Sequence, residues 1–153
     1  MDYNEQLTRN IKLSEMVYSK KAIDNDIANI PDDNSLINLK ELAVNVLQPI
    51  RDYFGSPLDI SSGFRSPKLN KLVGGSITSD HLTGRACDFT VQGFSVETVF
   101  KAIIQLNRQG KLPFKQLINE YGKWIHISYN DLNNKADILV ATKKGYKKYE
   151  EKI

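Results

Sequence analysis

The sequence predicts a single α+β domain, in which N-terminal and central helices pack around a mainly antiparallel sheet of about four strands. Three observations support this fold class. Apolar residues recur at helical spacing in the first third of the chain, and shorter segments in the second half alternate between apolar and polar residues. No repeat, linker or low-complexity tract separates a second domain. We expect one domain over residues 1–153, with flexible ends at residues 1–12 and 143–153.

The first third of the chain reads as two helices. Ser14 is placed to cap a helix whose apolar residues continue to Ile27, and the polar segment 31–34 then ends it. A second helix is predicted over residues 35–55, with Gly55 as its C-terminal stop. Pro49 should kink or shorten this helix, because proline lacks a backbone N–H donor.

The rest of the chain alternates strands with two more helices. A short helix begins at Ser66-Pro67 and ends at Gly74-Gly75, and a longer one runs from Ser95 to Gly110. Strands are predicted at residues 57–62, 85–91, 114–119 and 123–130, with a further strand at 136–142 that completes the sheet.

In two of these strands, the alternation of apolar and polar residues indicates which side chains share a face. In residues 85–91 the apolar side chains fall on one face and Asp88 falls on the other. In residues 123–130, isoleucines and a tyrosine form the apolar face, and the opposite face carries Trp124, His126 and Ser128. Asp88 and His126 can therefore meet on one sheet surface, with His81 entering from the preceding loop.

This convergence predicts a site for one zinc ion. His81 and His126 are the two histidines of the chain. Two imidazoles and the Asp88 carboxylate make a three-ligand set whose fourth position stays open to water, as in catalytic zinc sites. The single cysteine, Cys87, excludes an internal disulfide and a thiolate site, and we expect it to be buried packing. The same ligands would also hold cobalt or nickel.

The amino-acid composition limits the kinds of partner that this chain could bind. Of the 153 residues, 41% are hydrophobic and 25% are charged, as in a compact globular protein. The net charge of +3 comes largely from scattered lysines, which predicts no nucleic-acid binding. Residues 1–6 do not resemble a secretory signal, and no apolar run reaches membrane-spanning length. We expect synthesis in the cytoplasm without a signal peptide, no membrane insertion, and a monomer.

Three motifs in order resemble the zinc D-alanyl-D-alanine carboxypeptidase family. They are Ser-Gly-Phe-Arg-Ser at 62–66, Ser-x-His-x-x-Gly-x-Ala-x-Asp at 79–88, and Trp-x-His at 124–126. That family includes D,D-carboxypeptidases, D,D-dipeptidases and L-alanyl-D-glutamate endolysins, and it shares its fold with the Hedgehog signalling domain. The resemblance covers about residues 13–142 and is to the compact, single-domain branch. It implies a Hedgehog/DD-peptidase-like fold with the zinc site on one face of the sheet.

The resemblance also implies roles for individual residues. The zinc ligands would be His81, Asp88 and His126. Arg65 would contact the substrate and stabilise negative charge on its carbonyl oxygen, although position alone also allows a surface salt bridge. The remaining substrate-binding residues would be Ser79, Trp124 and Ser128.

The general base is the position where the chain departs from many relatives. In those relatives a glutamate lies three residues before the last zinc histidine, where this chain has Lys123. The compact branch places its glutamate six residues before that histidine, which corresponds to Glu120. Spacing alone allows Glu120 equally well to be an exposed carboxylate at a hairpin tip. Asp80, beside His81, is a further candidate for the base or for orienting a ligand.

The implied activity is hydrolysis, by zinc-activated water, of peptide bonds involving D-amino acids in peptidoglycan stem peptides. The enzyme would act as a D,D-carboxypeptidase or as an endolysin-type peptidase. It would reach the wall after release from the cell or from a phage particle. The alternative is a catalytically inactive zinc-binding, wall-binding or phage structural module of the same fold, which Lys123 and Asp80 favour. A zinc peptidase for some unrelated small peptide is a third possibility.

Overall fold

The computed structural model describes residues 1–151, which form one sheet and the helices that pack around it. The helices are α1 (Leu13–Val17), α2 (Lys20–Asp24), α3 (Asp33–Leu42), α4 (Gln48–Phe54), α5 (Pro67–Leu72) and α6 (Val96–Arg108). The strands are β1 (Leu58–Ser62), β2 (Ala86–Val91), β3 (Gln116–Glu120), β4 (Trp124–Ser128), β5 (Asp137–Thr142) and β6 (Gly145–Lys148). None of the helices within residues 1–151 is long and apolar enough to cross a bilayer.

The sheet is larger and more mixed than predicted. Within residues 1–151 it has six strands in the order β1-β2-β4-β3-β5-β6. Neighbouring strands are antiparallel except β3 and β5, which are parallel. The expectation of about four mainly antiparallel strands is therefore wrong in number. Five of the six strands correspond to predicted segments, and the one that was not predicted, β6, is a short edge strand whose residues are all exposed, so it lacks the apolar alternation by which strands are recognised.

Part of the C-terminal segment thus belongs to the sheet. Strand β6 pairs with β5 from Thr142↔Gly145 to Leu139↔Lys148. Residues 152 and 153 of the segment 143–153 lie outside the described residues. In the N-terminal segment, residues 1–12, Leu7 and Ile11 are buried in the core.

The predicted helix over residues 35–55 is divided in the structure. Helix α3 begins earlier, where Asp32 Oδ1 accepts the Ser35 N–H at 2.8 Å. A π-helical turn at Ala43–Leu47 then separates α3 from α4. Pro49 lies in the first turn of α4. Because proline offers no N–H and its ring crowds the carbonyl four residues earlier, the wider turn accommodates it without ending the helix.

The predicted first helix is also divided, at Tyr18–Ser19. The Met16 carbonyl accepts the Phe64 N–H at 2.7 Å. Ser19 then caps α2 through a hydrogen bond from the Ala22 N–H. The carbonyl of Met16 is thus used to attach α1 to the segment after β1.

The apolar face of the sheet forms the core. Helix α6 packs against β2, β3 and β4, and its buried residues join those of α3 and α4 in one cluster. Cys87, Phe89, Ile125 and Ile127 enter this cluster from the sheet. The predicted phasing of β2 and β4 is therefore correct, and the alternate residues of both strands face away from the core.

The opposite face carries two rows of side chains linked by strand register. One row contains Ser62, Asp88, His126, Ile118, Leu139 and Lys148. The other row contains Trp124, Glu120, Ala141 and Tyr146. Because residues two apart along a strand share a face, the two rows lie side by side on one surface.

Candidate metal centre and catalytic cleft

The two histidines and Asp88 converge on this surface. His81 lies in a 3₁₀ turn at Asp80–Thr83, Asp88 lies in β2, and His126 is its register partner in β4. The His126 Nδ1 is 2.8 Å and the His81 Nε2 is 3.3 Å from Asp88 Oδ1. One donor atom from each of the three side chains lies within 4.8 Å of the other two. Two imidazole nitrogens and a carboxylate oxygen at this separation fit a zinc ion with a free fourth position.

A backbone contact sets the tautomer of His81. The His81 Nδ1 lies 2.7 Å from the Gly63 carbonyl oxygen. A carbonyl only accepts, so Nδ1 carries the proton and donates it, and the lone pair is on Nε2. His81 is only 2% exposed, so its ring is held by its surroundings with Nε2 toward Asp88. Gly63 lies within the 62–66 motif, but its contact with His81 was not predicted from the sequence.

Asp88 is charged although it is nearly buried. It is 8% exposed, and burial alone would raise the pKa of its carboxyl group. Hydrogen bonds and charge from His126 and His81 outweigh burial and hold the pKa of Asp88 below its ordinary value. The neighbouring Cys87 is a free, buried cysteine. Burial and the charge of Asp88 raise the pKa of its thiol, which agrees with packing rather than metal binding.

The turn that carries His81 depends on Gly84. Ser79 caps the turn, because its Oγ accepts the His81 N–H at 3.2 Å. Gly84 ends it with a φ of 73°, and a Cβ at this position would lie 2.5 Å from the Ser35 carbonyl oxygen in α3. The position therefore needs glycine both for its left-handed backbone and for close packing on α3.

We expect Gly84→Ala to destabilise the protein by about 3 kcal/mol, because left-handed strain costs about 1–2 kcal/mol and overpacking against the backbone costs about 1–3 kcal/mol. The matched control is Gly93→Ala. Gly93 has a φ of 84° but open space around its Cβ position, so it should lose only about 1 kcal/mol. Denaturant unfolding measures both. Equal losses in the two variants would contradict the proposed packing constraint.

Arg65 is held against the candidate metal centre by three side chains. Its Nη2 is 3.4 Å from Asp88 Oδ2, its Nε donates to Ser62 Oγ at 3.0 Å, and its Nη1 donates to Asn70 Oδ1 at 3.2 Å. Burial lowers the pKa of Arg65, and the Asp88 charge opposes this shift. Asn70 is buried and was not predicted from sequence. A Cβ on Gly75 would lie 2.1 Å from Asn70 Oδ1, so the loop after α5 closes tightly over this pair.

These residues border a cleft of about 500 Å³. Arg65, Ser79, Glu120 and Trp124 line it together with the three candidate ligands. Ser128 lies on the same face of the sheet but does not line the cleft. Its Oγ is fully buried, without a hydrogen-bond partner in residues 1–151.

Glu120 is at the cleft and not at an exposed hairpin tip. It ends β3 opposite Trp124, and it follows Ile118, the register partner of His126, by two residues. Glu120 is 7% exposed. The chain then turns at Tyr121 and Gly122, which both have positive φ. Burial raises the pKa of Glu120, as does the charge of Asp88, whereas His126 lowers it.

Of the two residues that depart from the family pattern, Lys123 lies outside the cleft and Asp80 lies at its border. Lys123 is exposed in the β3–β4 turn. Asp80 borders the cleft, but both of its carboxylate oxygens accept from Lys115 Nζ, at 2.8 and 3.1 Å. Both oxygens of the Asp80 carboxylate are therefore already bound to Lys115, which does not favour Asp80 as the base.

Tyr146 of β6 also lines the cleft. Its hydroxyl donates to Glu120 Oε2 at 3.4 Å. It lies in the segment that was predicted to be flexible, where Tyr146 and Tyr149 stand among lysines, and this pattern offers no sequence signal for a role in the site.

Comparison with known proteins agrees with this geometry. The sequence profile described as Peptidase M15 matches residues 9–128, which contain the three motifs, the candidate ligands, Arg65 and Glu120. No curated protein matches the chain significantly. Members of the matched family are zinc-dependent peptidases, and the described surface provides a suitable ligand set. The chain therefore belongs to the peptidase M15 family of zinc metallopeptidases.

Proposed function

We propose that this protein hydrolyses peptide bonds involving D-amino acids in peptidoglycan stem peptides. The observation that carries the proposal is that one cleft is bordered by the three candidate ligands, a buried carboxylate, Glu120, and a fixed guanidinium, Arg65. The choice of substrate is supported by the resemblance of the motifs around Arg65, His81 and His126 to the D-alanyl-D-alanine carboxypeptidases. We propose further that the protein reaches the wall after release from the cell or from a phage particle.

The residues that border the cleft would each have a separate part in the hydrolysis. Zinc, held by His81 Nε2, Asp88 and His126 Nδ1, would acidify a coordinated water and polarise the substrate carbonyl. The Glu120 carboxylate would accept the proton of the attacking water and pass it to the leaving amine. The raised pKa of Glu120 suits both halves of this transfer, because a carboxyl group with a pKa closer to neutrality also donates readily.

Arg65 has N–H donors left with which to bind a substrate. A guanidinium carries five N–H donors in a fixed plane. Side chains within residues 1–151 use three of them, on Ser62, Asn70 and Asp88, which leaves two. We propose that these two bind the substrate carbonyl oxygen, or a substrate carboxylate, and stabilise its negative charge as the bond breaks. Ser79 and Trp124, which also line the cleft, would contact the peptide.

Synthetic stem peptides test the proposal directly. We expect the zinc-loaded protein to cleave a peptide ending in D-Ala-D-Ala or containing L-Ala-D-Glu, and to lose this activity with a chelator and regain it with zinc. The matched control is the all-L diastereomer, which we expect to stay intact. Mass spectrometry of the products distinguishes release of a terminal D-alanine from internal cleavage.

Two results would contradict the proposal. Equal cleavage of the all-L peptide would replace it with a zinc peptidase for other small peptides. Zinc binding without cleavage of any stem peptide would instead support the inactive, wall-binding or phage structural module, for which Lys123 and Asp80 are the sequence features.

A further inference from the structure

The β5–β6 hairpin forms one side of the cleft, and it brings a tyrosine to Glu120. We propose that Tyr146 is a positioning residue that orients the Glu120 carboxylate for proton transfer. This inference rests on the proposed function, because it assigns Tyr146 a part in that hydrolysis. The hairpin follows residue 128, where the family match ends, so the inference concerns this chain and not the matched region of the family.

Strand register explains how Tyr146 reaches the carboxylate. Glu120 pairs with Ala141 in β5, and Ala141 pairs with Tyr146 in β6. Tyr146 and Glu120 are therefore two strand spacings apart, about 10 Å between their backbones. Ala141 is the residue between them. Because its side chain is only a methyl group, it leaves room for the phenol ring to extend across it. The Tyr146 hydroxyl ends 3.4 Å from Glu120 Oε2.

The strands beneath this contact are firmly paired at the same point. The Tyr121 N–H donates to the Ala141 carbonyl at 3.1 Å, so the β3–β5 pairing continues past Glu120 into the turn. The turn itself is closed by Asn119 Oδ1, which accepts the Gly122 N–H at 2.9 Å. The backbones of Glu120 and Ala141 are thus fixed relative to each other, and Ala141 pairs in turn with Tyr146 in β6.

Because the Tyr146 hydroxyl donates to one carboxylate oxygen of Glu120, it sets the direction in which the other oxygen points. Within residues 1–151, Tyr146 is the one side chain that hydrogen-bonds to Glu120. With Oε2 held by the phenol, Oε1 remains free to accept a proton from water in the cleft. A general base must lie within hydrogen-bonding reach of the proton it removes, so a carboxylate that is held in one rotation reacts more often than one that turns freely.

The test compares two tyrosines that differ in this contact. We expect Tyr146→Phe to lower kcat for the cleaved stem peptide about tenfold while KM changes less than twofold. The matched control is Tyr121→Phe, because Tyr121 is half-exposed beside Trp124, with ring centroids 5.8 Å apart, and does not line the cleft. It should keep wild-type kcat. Adding Tyr146→Phe to Glu120→Gln should cause no further loss, since Tyr146 acts through the carboxylate.

A measurement that needs no turnover separates this inference from the proposed function. In protein labelled with ¹³C at tyrosine Cζ, the signal that disappears in Tyr146→Phe belongs to Tyr146. We expect this signal to move in Glu120→Gln and to stay in place in Glu97→Gln, an exposed glutamate on α6. An unmoved signal in Glu120→Gln, or wild-type kcat in Tyr146→Phe, would overturn the inference. If the protein cleaves no stem peptide, the proposed function fails and the NMR result alone decides whether Tyr146 holds Glu120.

Discussion

Glu120→Gln is expected to lower kcat about a thousandfold, because general acid–base catalysis contributes about 10²- to 10⁴-fold in enzymes that use it. Glutamine has nearly the same shape as glutamate but neither accepts nor returns a proton at neutral pH. The substitution therefore removes the proton transfer and leaves the cleft otherwise intact. Zinc affinity should stay close to that of the wild type, since Glu120 is not one of the three residues that converge as ligands.

The matched control for this experiment is Lys123→Ala. Lys123 stands where many relatives have their catalytic glutamate, and here it is exposed in the turn. We expect its removal to leave kcat within twofold of the wild type. Steady-state kinetics on the cleaved stem peptide measure both variants. If Glu120→Gln keeps wild-type kcat, Glu120 is not the base, although a zinc peptidase with another base would still be possible.

The second large effect is expected at the metal. Zinc should stabilise the wild-type protein by about 2.7 kcal/mol at a free concentration one hundred times its dissociation constant. His126→Ala should abolish this stabilisation at the same zinc concentration, because only two ligands remain. His126 is preferred over His81 for this test. His81 is buried and hydrogen-bonded to the Gly63 carbonyl, so its removal would also disturb the fold.

Thermal unfolding with and without zinc measures this effect, and Lys123→Ala again serves as the control from the same hairpin. The control should show the full zinc-dependent rise in Tm. A His126→Ala protein with an undiminished rise would show that zinc binds elsewhere, and the ligand assignment would then be wrong. Isothermal titration of the zinc-free proteins provides the affinities directly.

The strands that hold the candidate ligands were predictable because their alternation is local. Cys87 and Phe89 on one side of β2, and Ile125 and Ile127 on one side of β4, mark the core face. A side-chain period of two then forces Asp88 and His126 onto the opposite face. Their contact further requires that β2 and β4 be neighbours in register, which the structure provides.

The sheet edge was not predictable in the same way. Strand β6 is short, exposed and rich in lysine, and it pairs only because β5 lies beside it. The π-helical turn at Ala43–Leu47 has a similar origin. Pro49 predicts a disturbance in the helix, but whether the helix kinks, ends or widens depends on how both halves pack against the core.

The sequence by itself determined the class of chemistry, since two histidines, an aspartate and an arginine in these motifs specify a zinc peptidase of this family. It also determined which face of β2 and β4 carries the candidate ligands, because side-chain alternation is a property of the strand alone. Only the tertiary structure decided that Glu120 faces the cleft, that Lys115 pairs with Asp80, and that Tyr146 reaches across Ala141. These contacts join residues that are distant in the sequence, and they depend on how the strands and turns pack together in the whole fold.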